Sequence, residues 1–440
     1  MRTPQDVKTA LDNAIRYVVD NKDNYVLTPG KDFIRNRKLN MTKIIKITLS
    51  MTGNSLTKEL YEYGKIINSD FSKSAFVQQK SKINHKAFDD IFHMFNESCY
   101  DNNTYRGYRL YAVDGTDLCI SRNLNHEDSY TVSKTSPKGY NLMHINVMYD
   151  ITNKTYTDCI IEGKNKSDER KALWNMLERN KFEEQSIVIA DRGYESYNTV
   201  AHLLNTTNVD FVIRARHHYC INPIGKLPFC ELDIDVSTEI TTSQRNEDKE
   251  KGRIFIQTGS KKGKTNSKKT KISTWDFPSP YILNYRVVRF QLSTGEYETI
   301  VTSLPRDKFS IEEIKKLYYM RWGIETSFRE LKYAIGLLHL HSKKIETIYQ
   351  EIYAALIMYN YCERIAAMAI VKHKADCIYS YQLNFTMAFT ICKKYYRYNY
   401  SLDNILDDIE KYISPIRPGR RFNRKPIFKG FINFTYRIAA

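Results

Sequence analysis

Ser186-Ile-Val-Ile-Ala-Asp191-Arg-Gly-Tyr194 is an apolar run that stops at an aspartate and then a glycine. Such a run suits a strand buried on both faces of a sheet, as parallel strands are in α/β folds. An acid at the carboxyl end of that strand lies where α/β sheets carry their sites. The pattern recurs upstream in Tyr108-Arg-Leu-Tyr-Ala-Val-Asp114-Gly-Thr-Asp117, where a β-rich run ends at Asp114 and Gly115 reads as a turn signal. Taken singly, Asp-Gly and Asp-Arg-Gly are ordinary turn sequences. Two of them, each closing a buried strand, make a stronger case for paired acids.

A third segment, Leu317-Tyr-Tyr-Met-Arg-Trp-Gly-Ile-Glu-Thr-Ser-Phe-Arg-Glu-Leu-Lys-Tyr-Ala-Ile-Gly336, reads as one helix. At about 100° per residue, Tyr318, Arg321, Glu325 and Lys332 fall within a stripe roughly 60° wide. Leu317, Ile324, Phe328 and Leu331 form a neighbouring apolar stripe that would face a core. A solvated amphipathic helix has the same pattern. The two upstream acids shift the reading towards a carboxylate that holds a metal beside a phosphate backbone gripped by cations.

The arrangement Y-x-x-R-x-x-x-E-x-x-x-x-x-x-K, carried by Tyr318, Arg321, Glu325 and Lys332, resembles the signature of bacterial DDE transposases of the insertion-sequence-four family. Asp114-Gly115-Thr116 is similar to the segment bearing that family's first aspartate, and Asp191-Arg192-Gly193-Tyr194 to the second. The resemblance spans roughly residues 70 to 430 and includes Ser74 to Ile83 less distinctively. It implies Asp114, Asp191 and Glu325 as catalytic metal ligands, and cleavage at transposon ends followed by insertion into target DNA. It also implies a ribonuclease-H-like core, an insertion between the second and third acids, and C-terminal segments that pair protomers.

The strand and helix order agrees with that fold. Strands are expected at 108–113, 142–150 and 154–161, then a helix from Ser167, read as its N-cap, to Asn180. The strand ending at Asp191, a helix near 195–204 and the strand Val209–Ala215 follow. In the ribonuclease-H-like order the first and fourth strands are neighbours, which would set Asp114 beside Asp191. The expected fold is therefore α/β, with a ribonuclease-H-like core, an inserted β subdomain and helical N- and C-terminal regions.

Five regions follow: 1–105, helical and DNA-binding; 106–215, the first part of the core; 216–298, an inserted β-rich subdomain; 299–338, the second part with the glutamate helix; and 339–440, helical with a basic tail and a possible role in dimerisation. Asp191 and Glu325 lie too far apart for a single loop, which is why an inserted unit is expected. Within 1–105, Met41–Met51, the break Thr52-Gly53-Asn54-Ser55 and Leu56–Tyr63 are compatible with a helix-turn-helix; a generic helical bundle fits equally. Lys261, Lys262 and Lys264, in a lysine-rich stretch without acids, read as either a solvated loop or a DNA-contacting finger. The tail Arg417–Lys425 is open in the same way, as solvated chain or as a DNA or partner arm.

Composition is consistent with a polyanion partner: 67 Lys+Arg against 50 Asp+Glu give a formal charge of +17. The 33 tyrosines would allow base stacking, but most are accounted for by a composition rich in Tyr, Lys, Asn and Ile. Eight scattered cysteines without a C-x-x-C argue against a disulfide framework and suit a reducing cytoplasm. His217, His218, Cys220 and Cys230 have no familiar zinc spacing, and Gly259–Thr265 fails as a phosphate-binding loop. The apolar stretch Glu351–His373 is broken by Asn360, Glu363 and Arg364, so a buried helix is expected rather than a membrane span. The expected setting is the bacterial cytoplasm, at the nucleoid.

The chemistry expected of Asp114, Asp191 and Glu325 follows from hard oxygen donors, which suit Mg²⁺, or Mn²⁺ as a substitute, with two ions flanking an in-line phosphoryl displacement. Arg321 and Lys332 would grip phosphates, and Tyr318 would hydrogen-bond one. Trp322 is available to stack on an unpaired base, although core packing is the commoner role for such a residue. Double-stranded DNA is the expected partner, bound by a homodimer that holds two ends. A nuclease that cuts without joining and a non-catalytic DNA-binding descendant remain as alternatives.

Overall fold

A computed structural model of the chain describes residues 2–35, 37–134, 136–216, 222–258, 274–371 and 379–416. Lys261, Lys262 and Lys264, the phosphate-loop mimic from Gly259, His217, His218, Cys220 and the tail Arg417–Lys425 lie outside the described residues. The first hundred residues form helices α1 (Pro4–Asp20), α2 (Met41–Ser50), α3 (Leu56–Ile66), α4 (Lys73–Lys80) and α5 (Lys86–Ser98). Strands β1 (Arg109–Ile120), β2 (Tyr130–Ser133), β3 (Ser136–Asp150) and β4 (Thr155–Gly163) follow. Next come α6 (Glu169–Arg179), β5 (Ser186–Ala190), α7 (Tyr197–Asn205) and β6 (Val209–Arg214). The region after β6 holds α8 (Asn222–Lys226), β7 (Leu232–Thr241), α9 (Asn246–Glu250), β8 (Ile254–Phe255), β9 (Tyr281–Gln291) and β10 (Tyr297–Thr302). The last elements are α10 (Ile311–Met320), α11 (Trp322–Tyr333), α12 (Ile345–Ala366), β11 (Tyr381–Leu383), α13 (Phe385–Tyr398), α14 (Ile405–Glu410) and β12 (Ile413–Pro415).

Ten strands share one mixed sheet in the order β2-β3-β1-β5-β6-β10-β9-β7-β8, with β4 also paired to β3. β1, β5 and β6 are mutually parallel, and β3 runs antiparallel to both β1 and β4. All five residues of β5 are buried, as a strand covered on both faces requires. One face carries α6 and α7, with Val113, Met148 and Val188 packed among Leu173, Met176 and Val200. Against the other face, Ile314, Leu317 and Tyr318 of α10 cover Ile187, Ile189 and Val212. Beside them, Ile324, Phe328 and Leu331 of α11 join a core containing Ala112, Leu118 and Tyr149.

Four local expectations change. β1 does not stop at Asp114 but runs to Ile120, because β3 pairs with it from Tyr111 to Ile120. Gly115 is therefore a strand residue; a Cβ there would fall on His144 Nε2, so close approach is what requires glycine. The N-cap of α6 is Asp168, whose carboxylate accepts from the N–H groups of Arg170 and Lys171, while Ser167 Oγ donates to the Lys164 carbonyl. Strands β7 to β9, from the region read as an inserted subdomain, continue the central sheet through β10. The single helix expected over 317–336 is two, divided at Arg321, where the hydrogen bonds tighten to Arg321 N–Tyr318 O and Ile324 N–Arg321 O.

Helix α12 is buried along most of its length and packs against α1, α2, α5, α13 and β4, so the N- and C-terminal helices share one core. Buried ion pairs reinforce that union: Lys80 Nζ to Glu351 Oε1 at 2.6 Å, and Arg397 Nη1 to Glu59 Oε2 at 2.7 Å. Helices α2 and α3, capped by Asn40 and Ser55, are thus members of a bundle. No helix among the described residues is long and apolar enough to cross a membrane.

Phe92 on α5 is fully buried against this bundle. Phe92→Ala is expected to destabilise by about 3–5 kcal/mol. Hydrogen exchange should then show faster exchange in α12 as well as in α5; unchanged protection in α12 would refute the shared core.

Candidate active site

The last parallel pair between β1 and β5 is Val113 with Ala190, so the next residue on each chain is an aspartate, Asp114 and Asp191. Asp114 lies within β1 and Asp191 just past the end of β5, on adjacent strands whose usual spacing is about 4.8 Å. Asp114 Oδ1 accepts the Gly115 N–H at 2.8 Å, and Asp191 Oδ1 accepts the Gly193 N–H at 2.7 Å. A Cβ on Gly193 would stand 2.9 Å from Asp191 Oδ1, so only glycine lets the turn close this tightly on the carboxylate.

Glu325, in the first turn of α11, joins them through Arg321. The guanidinium donates from Nη2 to Glu325 Oε1 at 2.8 Å and places Nη1 3.5 Å from Asp114 Oδ2. Arg321 is buried, and its Nε has no hydrogen-bond partner among the described residues. Lys332, one face of α11 further along, donates to Thr116 Oγ1 at 2.6 Å, and burial lowers its pKa. Tyr318 is only 4% exposed and packs in the core under α10, with the Arg321 guanidinium 5.7 Å from its ring centroid. Trp322, next to Arg321 in sequence, is 58% exposed, so the core packing given as its commoner role does not hold.

Burial pushes the Asp114 carboxyl up to about 6; Asp191 and Glu169 add to the rise, while the Gly115 N–H and Arg321 oppose it. A half-buried carboxylate and an exposed one bridged by a cation are oxygen donors of the kind that suits a hard divalent ion. Among the described residues, no three His, Cys, Asp or Glu side chains converge as they stand closely enough to enclose one. Arg321 instead spans Asp114 and Glu325.

A neighbouring group escaped the sequence reading. His144, buried on β3, has Nδ1 2.5 Å from Asp117 Oδ1 and Nε2 3.2 Å from Glu169 Oε1. Lys164 Nζ completes the group at 2.9 Å from Asp117. Burial opposes charge on both partners, yet His144 and Lys164 bring Asp117 down to about 2, and Asp117 and Glu169 hold His144 above its ordinary value. Two sequence signals were available: Asp117, read as an extra acid or a turn residue, and Asp168-Glu169, an acidic pair at the start of a helix.

The family described as "Transposase DDE domain" matches residues 105–361. This chain belongs to that family. The DDE domain so matched runs from just before β1 into α12 and contains Asp114, Asp191 and Glu325. The chain is 36% identical over 73 residues to the putative transposase InsL for insertion sequence element IS186A of Escherichia coli (strain K12), and equally to the transposase for insertion sequence element IS421 of Escherichia coli. These matches cover 16% of this chain and span about a fifth, 20%, of the relatives' length. Among solved structures, a piggyBac transposase synaptic complex with hairpin DNA aligns with a TM-score of 0.44 and 12% identity, over 93% of this chain and 85% of that one.

The raised carboxyl of Asp114 has a measurable consequence. Its folded pKa, about 6, exceeds the 3.8 of the free side chain, so the folded state binds the proton more tightly. Ionisation thus works against folding above about pH 6, and the penalty disappears below about pH 4. Asp114→Asn is expected to be more stable than wild type at pH 7.5 by about 1–2 kcal/mol, with the gap closing towards pH 4. Urea melts at the two pH values check this; a variant no more stable at pH 7.5 refutes it.

Proposed function

We propose that this chain is a cut-and-paste DNA transposase of the insertion-sequence-four type. It binds the terminal inverted repeats of its element, cleaves the ends by metal-assisted phosphoryl transfer and joins them to target DNA. One observation carries the reading: Asp114 and Asp191 directly follow the last parallel pair of β1 and β5, and Arg321 ties Glu325 to the first of them. Family membership and relatives named as insertion-sequence transposases support the reaction class. The order β4-β3-β1-β5-β6, antiparallel then parallel, supports a ribonuclease-H-like core over 106–215, completed by 299–338.

In this reading Asp114, Asp191 and Glu325 hold Mg²⁺, or Mn²⁺ in its place, as two ions. When bound, they supply activation of the attacking water or 3′-hydroxyl and stabilisation of the leaving oxygen. The protein's own groups orient the substrate. Lys332 offers a point charge to a phosphate, and Arg321, released from part of its bridge, offers a bidentate fork. Tyr318 supports Arg321 from below, and Trp322 presents an open face to an unpaired base. The excess positive charge favours double-stranded DNA, and holding two ends together calls for a homodimer working with DNA in the bacterial cytoplasm.

The test is Mg²⁺-dependent cleavage of DNA carrying the gene's own flanking ends. Wild type is expected to cut at the element boundary and join the ends to target DNA. Asp114→Asn, Asp191→Asn and Glu325→Gln should each cut at least about 10³-fold more slowly, a loss of several kcal/mol of transition-state stabilisation. Their DNA binding should stay within a few-fold of wild type. Cutting without joining would make the protein a nuclease, and specific binding with no cutting by wild type would overturn the catalytic reading.

A further inference from the structure

Helix α11, which carries Glu325, meets its neighbours through two hydroxyl contacts. Tyr156 Oη on β4 donates to Ser327 Oγ at 2.8 Å. Tyr359 Oη on α12 lies 3.2 Å from Glu330 Oε2. The same Tyr359 oxygen lies 3.2 Å from Glu363 Oε1, one turn further along α12, and 3.3 Å from the Tyr149 hydroxyl on β3. Carboxyl groups from two different helices thus meet on one phenol.

A proton count shows what this arrangement requires. A tyrosine hydroxyl has one proton to donate and two lone pairs with which to accept. Three contacts converge on Tyr359 Oη, so its own proton fills one and the Tyr149 proton fills a second. The third needs a proton from a carboxyl group. With both carboxylates ionised, one of them would face the Tyr359 oxygen with no hydrogen between them. Glu363 is only 2% exposed, whereas Glu330 keeps part of its surface in water, so Glu363 is the less able to bear a charge.

No ion pair removes the difficulty among the described residues. The cations that act on the two groups are Lys154, in the turn between β3 and β4, and Arg329 on α11 itself, and both act from a distance. Tyr149, Tyr156 and, on α13, Cys392 are the other titratable neighbours. Helices α1, α2, α5 and α14 also pack on α12, and among the described residues they bring no group that acts on either carboxyl. Burial accordingly drives Glu363 well above its ordinary 4.5, with Glu330 adding to the rise against Lys154 and Tyr359.

We propose that Glu363 holds one proton as a structural part of the α11–α12 joint, and that raising the pH loosens the helix bearing Glu325. With the proton in place, Glu363 donates to Tyr359 and Tyr359 donates to Glu330. Without it, two negative charges bracket one oxygen inside the core. The closed joint binds the proton more tightly than the open one. Its contribution is therefore whole below about pH 4.5 and is lost as the pH rises.

The experiment takes the full chain as wild type, Glu363→Gln, Glu330→Gln and Tyr359→Phe. Glu363→Gln keeps the size and a donor for Tyr359 but cannot titrate. Infrared spectra at neutral pH should show a protonated carboxylic acid carbonyl in wild type that is lost in Glu363→Gln and kept in Glu330→Gln. In Tyr359→Phe the same band should move to higher frequency, because its hydrogen bond is gone. Hydrogen exchange should show α11 opening in wild type, relative to Glu363→Gln, more readily by up to about tenfold per pH unit between roughly pH 5 and 8. A spectrum unchanged by Glu363→Gln, a band lost in Glu330→Gln instead, or an exchange ratio that does not vary with pH overturns the proposal. Should Glu363→Gln fail to fold, Tyr359→Phe decides: a band at the wild-type position overturns it.

Discussion

The parallel pairing of β1 with β5 is the constraint on which the site depends. It is held by backbone hydrogen bonds between two strands buried on both faces, where a one-residue slip would turn every side chain to the wrong layer. In the observed register, two chain segments separated by more than seventy residues deliver an aspartate to the same edge. Everything else at the site is arranged around that edge. α11 comes to it over one face of the sheet and α6 over the other.

Arg321 is the second organising element, and it works through a break in helical geometry. The hydrogen bonds tighten at the α10–α11 junction, and the Arg321 guanidinium there faces inward to two carboxylates while Trp322 beside it is exposed. Its buried Nε without a partner and the raised carboxyl of Asp114 show a site left incompletely satisfied in the protein alone. Buried charges that are not fully paired are a common trade of stability for function.

Much of this was legible in the sequence because burial leaves a plain record. The run Ile187–Ala190 could only be a covered strand, and the terminal aspartates followed from it. The stripe of Leu317, Ile324, Phe328 and Leu331 gave the inward face of the helices. Gly115 was misread for a physical reason: glycine is needed both for turns and for close approach, and local sequence does not separate them. The partner that decides the matter, His144, is far away in the chain. His144 was invisible for the same cause, since its meaning arises only when β3 and α6 pack beside β1. The membership of β7 to β9 in the central sheet was equally hidden, because alternating apolar residues specify a strand but not its neighbour.

The packing of α12 against α1, α2 and α5 has a consequence for how the chain is made. Roughly 250 residues must be synthesised after α5 before α12 exists to cover it, some 12–50 s at about 5–20 residues per second. Through that interval α5 has α1, and later β4, against it, but the side that α12 covers, where Phe92 meets Tyr353, stays open and depends on transient cover or on chaperones. Completion of this core is thus tied to synthesis of the chain as far as α12.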